Sequence, residues 1–253
     1  MTARSVRTPW LALALIAAAG AALRIACAHG GLWLDEAWSA VFARDVATPA
    51  GILLGIHHDN NHHLNTLWLQ LVGFDAPPVL QRALSIASGT AAIVVAGLFG
   101  ARRSAAAAIA SALLFAVSPM LVTYGSEARG YAPVVLAMLA AVLLTERWLD
   151  DRRRPCPALA LTLVTLLGML AQLTFVFALP ALAGWVLLRV WGEVGARTAI
   201  AATLRLSASA SAVAVLLALL IFRLLPPSGT LQFGNYEPFT LANLHAGVRD
   251  MIA

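Results

Sequence analysis

The chain has 253 residues, of which 60% are hydrophobic and only 11% are charged, whereas a water-soluble domain carries about 25% charged residues. All 17 basic residues are arginines, and against 12 acidic residues they give a formal net charge of +5. This composition excludes a disordered chain, a secreted disulfide scaffold and a soluble enzyme. The arginines fall between apolar runs, so they indicate membrane topology and no nucleic-acid partner.

The apolar runs predict an all-α fold, a polytopic bundle of about seven transmembrane helices in a single membrane domain spanning residues 1–253. A helix that crosses a bilayer needs about 20 mostly apolar residues. The runs cover residues 10–28, 78–100, 104–123, 131–149, 156–190 and 200–224. The run 156–190 is long enough for two short helices, divided near residues 172–174.

Arginine placement predicts the orientation of these helices. Eleven of the 17 arginines, including Arg102, Arg103 and the run from Arg152 to Arg154, fall on one side if the N-terminus is cytoplasmic, as the positive-inside rule favours. The protein is then a multi-pass protein of the cell membrane, and residues 29–77, 124–130 and 226 onward are extracytoplasmic. The alternative, that the first run is a cleavable signal peptide, fits less well because Arg24 lies inside the run.

The first outer loop, residues 29–77, contains adjacent carboxylates at Asp35 and Glu36. Two neighbouring like charges raise the pKa of at least one of them, and they are tolerated mainly where they are bonded or useful. From Glu36 onward, apolar residues recur at helical spacing, which predicts an amphipathic helix in the membrane interface with Asp35 and Glu36 near its N-terminus. The alternative for the two acids is a simple helix N-terminal pair favoured by the helix dipole.

A second polar segment in the same loop, residues 56–65, is dense in histidine, aspartate and asparagine. We expect Asp59, Asn61 and His62 to line a polar pocket, because such side chains both donate and accept the hydrogen bonds that a sugar requires. Binding of zinc or iron is the alternative. The spacing lacks the two clusters of a structural zinc site, so we expect no metal and no other cofactor.

Charged residues also lie at the predicted membrane boundary in the short second outer loop. Glu127 and Arg129 sit there, just before Tyr131, and Arg82 lies four residues into the second predicted span. A charge at that depth is costly unless it is paired or faces water, so these residues are functional candidates. The alternatives are that Glu127 and Arg129 pair with each other and that Arg82 snorkels outward.

This set of side chains suits transfer of a sugar carried on a lipid phosphate. An arginine binds phosphate through two parallel hydrogen bonds and stays charged. Because phosphate is a good leaving group, no second carboxylate has to act as general acid, and one carboxylate acting as base is enough.

The ordered motifs resemble the C-type integral-membrane glycosyltransferases. The matching segments are Trp33-Leu34-Asp35-Glu36-Ala37-Trp38-Ser39, Asp59-Asn60-Asn61-His62-His63-Leu64, Arg82, and Ser126-Glu127-Ala128-Arg129-Gly130-Tyr131. That superfamily includes protein O-mannosyltransferases and the aminoarabinose transferase of lipid A, and the bacterial branch is the most similar. His63 stands where the family usually has proline.

The resemblance implies a polyprenyl-phosphate sugar donor and inverting transfer to a hydroxyl of a glycan, lipid or protein acceptor on the outer face. It makes residues 29–77 the catalytic loop, with Asp35 as base and Glu36 assisting. Substrate-binding roles pass to Asp59, Asn61, His62, Arg82, Glu127, Arg129 and Tyr131. Relatives usually continue through more helices, so we expect the chain to be the N-terminal part of a longer glycosyltransferase.

Two other functions compete with this prediction. A transporter or lipid flippase would use many helices with scattered edge charges, but it predicts charges at mid-bilayer, where these spans have few. A membrane metalloenzyme would depend on the histidine-rich segment.

Overall fold

The computed structural model describes residues 8–56, 58, 60–223 and 240–252. Within these residues the chain is helical and contains no strand, which confirms the predicted all-α fold. The helices in chain order are α1 (Trp10–Cys27), α2 (Leu34–Asp45), α3 (Pro49–Leu54), α4 (His63–Val72), α5 (Pro78–Gln81), α6 (Ala83–Ala101), α7 (Ala105–Val117), α8 (Pro119–Tyr124), α9 (Tyr131–Asp150), α10 (Ala158–Ala171), a 3₁₀ helix (Leu173–Phe177), α11 (Ala178–Val194), α12 (Ala196–Arg223) and α13 (Leu241–Ile252).

Five helical segments of the described chain are long and apolar enough to cross a membrane, which is compatible with a multi-pass membrane protein. They are α1, α6, α9, the 3₁₀ helix continued by α11, and α12. α7 and α10 are apolar but have only 13 and 14 residues. Seven spans and a cytoplasmic N-terminus therefore stay predictions.

The run 104–123, predicted as one helix, is two helices in the structure. α7 ends at Val117 and α8 begins at Pro119, because proline lacks the N–H that a continuous helix needs and clashes with the preceding turn. Pro119 has no N–H to donate to Phe115 O, and this carbonyl accepts instead from the guanidinium of Arg24 of α1 at 2.9 Å. The same guanidinium donates to Leu121 O at 3.3 Å. A buried arginine inside an apolar helix is thus accommodated by the break in its neighbour.

The run 78–100 is also divided, and the break falls at Arg82, between α5 and α6. Arg82 does not snorkel outward, which was the alternative considered for it, since only 4% of its surface is exposed. The predicted division of residues 156–190 is confirmed: α10 ends at Ala171 and the 3₁₀ helix begins at Leu173.

Small side chains allow α1, α6 and α7 to pack closely. Ala108, Ala112 and Ala116 recur every fourth residue along α7 and lie against Leu13 of α1 and Ile93 of α6. Small residues at such intervals let helix backbones approach each other in membranes. A second core joins α9, α10, α11 and α12.

The amphipathic helix predicted in the first loop is α2. It packs on α4 through Ala40, Ala43 and Leu69, while Leu34 and Trp38 on its other side are exposed. The helix is confirmed, and its position in a membrane interface stays a prediction.

Candidate active site

The adjacent acids Asp35 and Glu36 lie in the first turn of α2, but they have different partners. Successive side chains on an α-helix point about 100° apart. Glu36 is fully buried and pairs with Arg82, whereas the Asp35 side chain is 37% exposed and pairs with Arg129. Each acid therefore has its own arginine, and the two carboxylates differ in environment.

Every polar atom of the Glu36 carboxylate is occupied within the protein. Arg82 donates from Nε to Oε1 at 2.8 Å and from Nη2 to Oε2 at 2.6 Å. Backbone N–H groups add one bond each, from Ala128 to Oε1 at 2.5 Å and from Trp33 to Oε2 at 3.1 Å. The charge is thus both paired and hydrogen-bonded, as burial of an ion requires.

Arg82 uses its remaining N–H groups on backbone carbonyls that follow α1. It donates to Ala28 O at 2.7 Å, Gly30 O at 2.6 Å and Gly31 O at 2.9 Å. With the two bonds to Glu36, all five N–H groups of the guanidinium are used. The pair therefore joins the end of α1, the start of α2, the start of α6 and the loop 125–130, and it leaves no donor on Arg82 for a substrate.

Arg129 stands at the centre of the more open part of the site. Its Nη1 lies 3.0 Å from Asp35 Oδ2, its Nη2 donates to Asn60 Oδ1 at 3.0 Å, and its Nε donates to His62 Nε2 at 3.4 Å. Asn60 in turn donates to the backbone oxygen of Asp35 at 2.8 Å. These contacts connect the first loop to the loop between α8 and α9.

Aromatic rings enclose the Arg129 guanidinium. Its central carbon lies 4.6 Å from the ring centre of Tyr131 and 5.3 Å from that of Trp33. Tyr131 also contacts Tyr124 and His62, with ring centres 4.7 Å and 5.3 Å away. Cation–π contacts hold the guanidinium in one place, and the partly exposed Trp33 and Tyr131 lie beside it.

Burial keeps the two histidines at the start of α4 uncharged. It lowers the pKa of His62 to about 4, with a further lowering by the nearby Arg129 charge, and it lowers the pKa of His63 to about 4. Neutral imidazole has one acceptor nitrogen, so His62 accepts the Arg129 N–H only in this uncharged form.

Glu127 lies beside this cluster without being the partner of Arg129. It is partly buried, and its pKa is raised by burial and by Glu36, which outweigh the opposite effects of Arg129 and Arg82. The predicted alternative, a local Glu127–Arg129 pair, is not the arrangement seen, because the guanidinium forms its ion pair with Asp35.

The remaining predicted residues divide between the cluster and its support. Tyr131 and His62 lie in the cluster, whereas Asn61 does not: it donates to Ile52 O at 3.0 Å and accepts from Thr66 at 3.0 Å, which holds the loop onto α3 and α4. Asp59 lies outside the described residues. The sequence reasoning missed Asn60, and adjacent asparagines gave no signal of which one would contact the arginine.

The described part of the chain was also compared with the requirements of a metal site and of a disulfide bond. No group of three or more histidine, cysteine, aspartate or glutamate side chains is placed to hold a metal ion there. Cys27 and Cys156 are free thiols.

Comparison of the chain with protein-family models, with curated proteins and with solved structures finds no match. The resemblance of the motifs to C-type glycosyltransferases therefore stays a prediction.

Proposed function

We propose that this protein transfers a sugar from a polyprenyl-phosphate donor to an acceptor hydroxyl, with inversion, at the site formed by Asp35 and Arg129. The observation that carries the proposal is the partly exposed pair of these two side chains, 3.0 Å apart and bordered by Trp33 and Tyr131. Both charges that the reaction needs are thus within reach of one substrate. By the positive-inside rule, the site faces the extracytoplasmic side.

Arg129 is the group that binds the donor phosphate. Without substrate, its guanidinium is shared by Asp35, Asn60 and His62. A phosphate is a better bidentate partner than a single carboxylate oxygen, so it takes over part of the guanidinium. The exchange releases the Asp35 carboxylate, which then accepts a hydrogen bond from the hydroxyl group of the acceptor substrate.

The step is a single displacement. The acceptor oxygen forms a bond to the anomeric carbon as the bond from that carbon to the phosphate oxygen breaks. The hydroxyl proton passes to Asp35, and polyprenyl phosphate leaves with the bonding electron pair. Because the nucleophile enters opposite the leaving group, the anomeric configuration inverts.

Glu36 and Arg82 hold the backbone around this site in place and take no part in the chemistry. Glu36 is fully buried and Arg82 nearly so, and their contacts fix the backbone at Trp33 and Ala128, within two residues of Asp35 and Arg129. Glu127, whose pKa is raised, lies next to the same backbone.

Transfer of radiolabelled sugar from polyprenyl-phosphate donors, measured in membranes containing matched amounts of protein, tests the proposal. Asp35→Asn is expected to lower the rate by at least about a hundredfold, the usual contribution of a general base. Asp45→Asn is the matched control, because Asp45 lies at the far end of α2 and, within the described residues, forms its ion pair with its neighbour Arg44.

Retained transfer in Asp35→Asn would overturn the assignment of the base. No transfer by the wild type with any polyprenyl-phosphate sugar, in membranes where the protein is folded, would overturn the proposed function.

A further inference from the structure

A polar cavity lies at the ends of the helices opposite to the candidate active site, where α9 and α11 end. Its volume is about 620 Å³, and it is lined by three arginines and three carboxylates. They are Arg152, Arg153, Arg189, Asp150, Asp151 and Glu193. None of these residues belongs to the candidate active site.

Each carboxylate in this lining already has an arginine partner. Glu193 lies 2.9 Å from Arg152 and 2.8 Å from Arg189. Asp151 lies 3.1 Å from Arg153 and 3.4 Å from Arg154. Asp150 pairs with Arg102 of the turn after α6. The acids therefore position the guanidinium groups without leaving an uncompensated negative charge in the lining.

The arginines keep hydrogen-bond donors in excess of these acids. Among the described residues, none accepts a hydrogen bond from Arg152 Nη1. The side chains of Arg153 and Arg189 are 94% and 58% exposed. An anionic ligand that accepts several hydrogen bonds can reach the guanidinium groups of Arg153 and Arg189, and phosphate is the group whose oxygens match the planar guanidinium fork.

The position of the cavity indicates a lipid as the source of that phosphate. Its arginines lie at the ends of two helices that are long and apolar enough to cross a membrane. Leu188 and Trp191 on α11, on either side of Arg189 in sequence, are exposed large apolar residues. Tryptophan is enriched at the level of lipid headgroups, and basic pockets between helix ends bind anionic headgroups.

We propose that this cavity binds the phosphate of an anionic phospholipid, with the headgroup at Arg152, Arg153 and Arg189 and the acyl chains along α11. The proposal is independent of the glycosyltransferase proposal, because it concerns the opposite end of the helices and needs no catalytic activity.

Native mass spectrometry of the detergent-purified protein, titrated with phosphatidylglycerol or phosphatidylcholine of equal chain length, tests this site. Saturable binding with a preference for phosphatidylglycerol is expected. The double variant R153Q/R189Q is expected to weaken it about tenfold or more, since charge-assisted hydrogen bonds are lost. R103Q/R197Q removes the same charge from exposed arginines outside the lining and is expected to bind as the wild type does.

Several outcomes would overturn the proposal. Equal binding of phosphatidylcholine would show no anionic site, and equal loss in both double variants would show a general effect of positive charge. Displacement of the lipid by equimolar glycerol 3-phosphate would identify a soluble phosphate as the ligand. If R153Q/R189Q does not fold, R153Q alone is used, because its exposed side chain contributes little to folding, and unchanged lipid binding in it would also count against the site.

Discussion

Replacing Glu36 by glutamine is expected to destabilise the folded protein by about 3–5 kcal/mol, the usual cost of removing one partner from a buried ion pair. Only 4% of Arg82 is exposed, so in this variant a cation stays buried without a counter-charge. One of its N–H groups then faces the NH₂ of the new amide in place of an acceptor.

The size of this effect follows from the number of elements that the pair joins. Through Glu36 and Arg82 the backbone at Trp33 and Ala128 is bonded to the carbonyls of Ala28, Gly30 and Gly31. A loss of 3–5 kcal/mol is a large part of the roughly 5–15 kcal/mol that stabilises most folded proteins. It corresponds to a fall of about 10 °C in the unfolding midpoint for a chain of this size.

Asp35→Asn is the comparison that separates support from chemistry. Its ion pair with Arg129 is partly exposed, and such pairs contribute about 1 kcal/mol or less, so the midpoint is expected to fall by no more than about 4 °C. Tryptophan fluorescence during heating of the detergent-solubilised protein measures both midpoints. A Glu36→Gln protein that unfolds within about 2 °C of the wild type but has lost transfer activity would refute the supporting role and make Glu36 a reacting group.

Two further predictions concern the segment around His62 and Gly130. The pKa values of His62 and His63 are lowered to about 4 from about 6.5 in an unfolded chain, so their contribution to stability is complete above pH 6.5 and is lost as the pH falls toward 4. At pH 5 the loss is about 2 kcal/mol for each histidine, and a midpoint that does not fall between pH 7.5 and pH 5 would contradict their burial in the neutral form. Gly130→Ala is expected to cost about 1–3 kcal/mol and to weaken donor binding, because a Cβ there would overlap the carbonyl oxygen of Ala171 and displace the adjacent Arg129. The transfer assay at several donor concentrations checks this, and an unchanged KM would count against it.

Local patterns in the sequence were enough to predict several elements. The apolar runs gave the long helices, the adjacent acids were correctly placed in the first turn of a helix, and the polar residues near 172–174 marked a true break. Each of these features depends on residues close together in the chain. The break at Pro119 was missed because the apolar run continues through it, and apolarity alone does not report a missing backbone N–H.

The sequence by itself determined that the chain is helical and largely apolar, because hydropathy and the spacing of apolar residues are local properties of the chain. It also selected Asp35, Glu36, Arg82 and Arg129 as the charges to consider, since charges are rare in such runs. Only the tertiary structure decided how these four pair, because each ion pair joins residues at least 46 positions apart. That pairing buries Glu36 with Arg82 and leaves Asp35 with Arg129 partly exposed, a difference in solvent access that neighbours in sequence cannot encode.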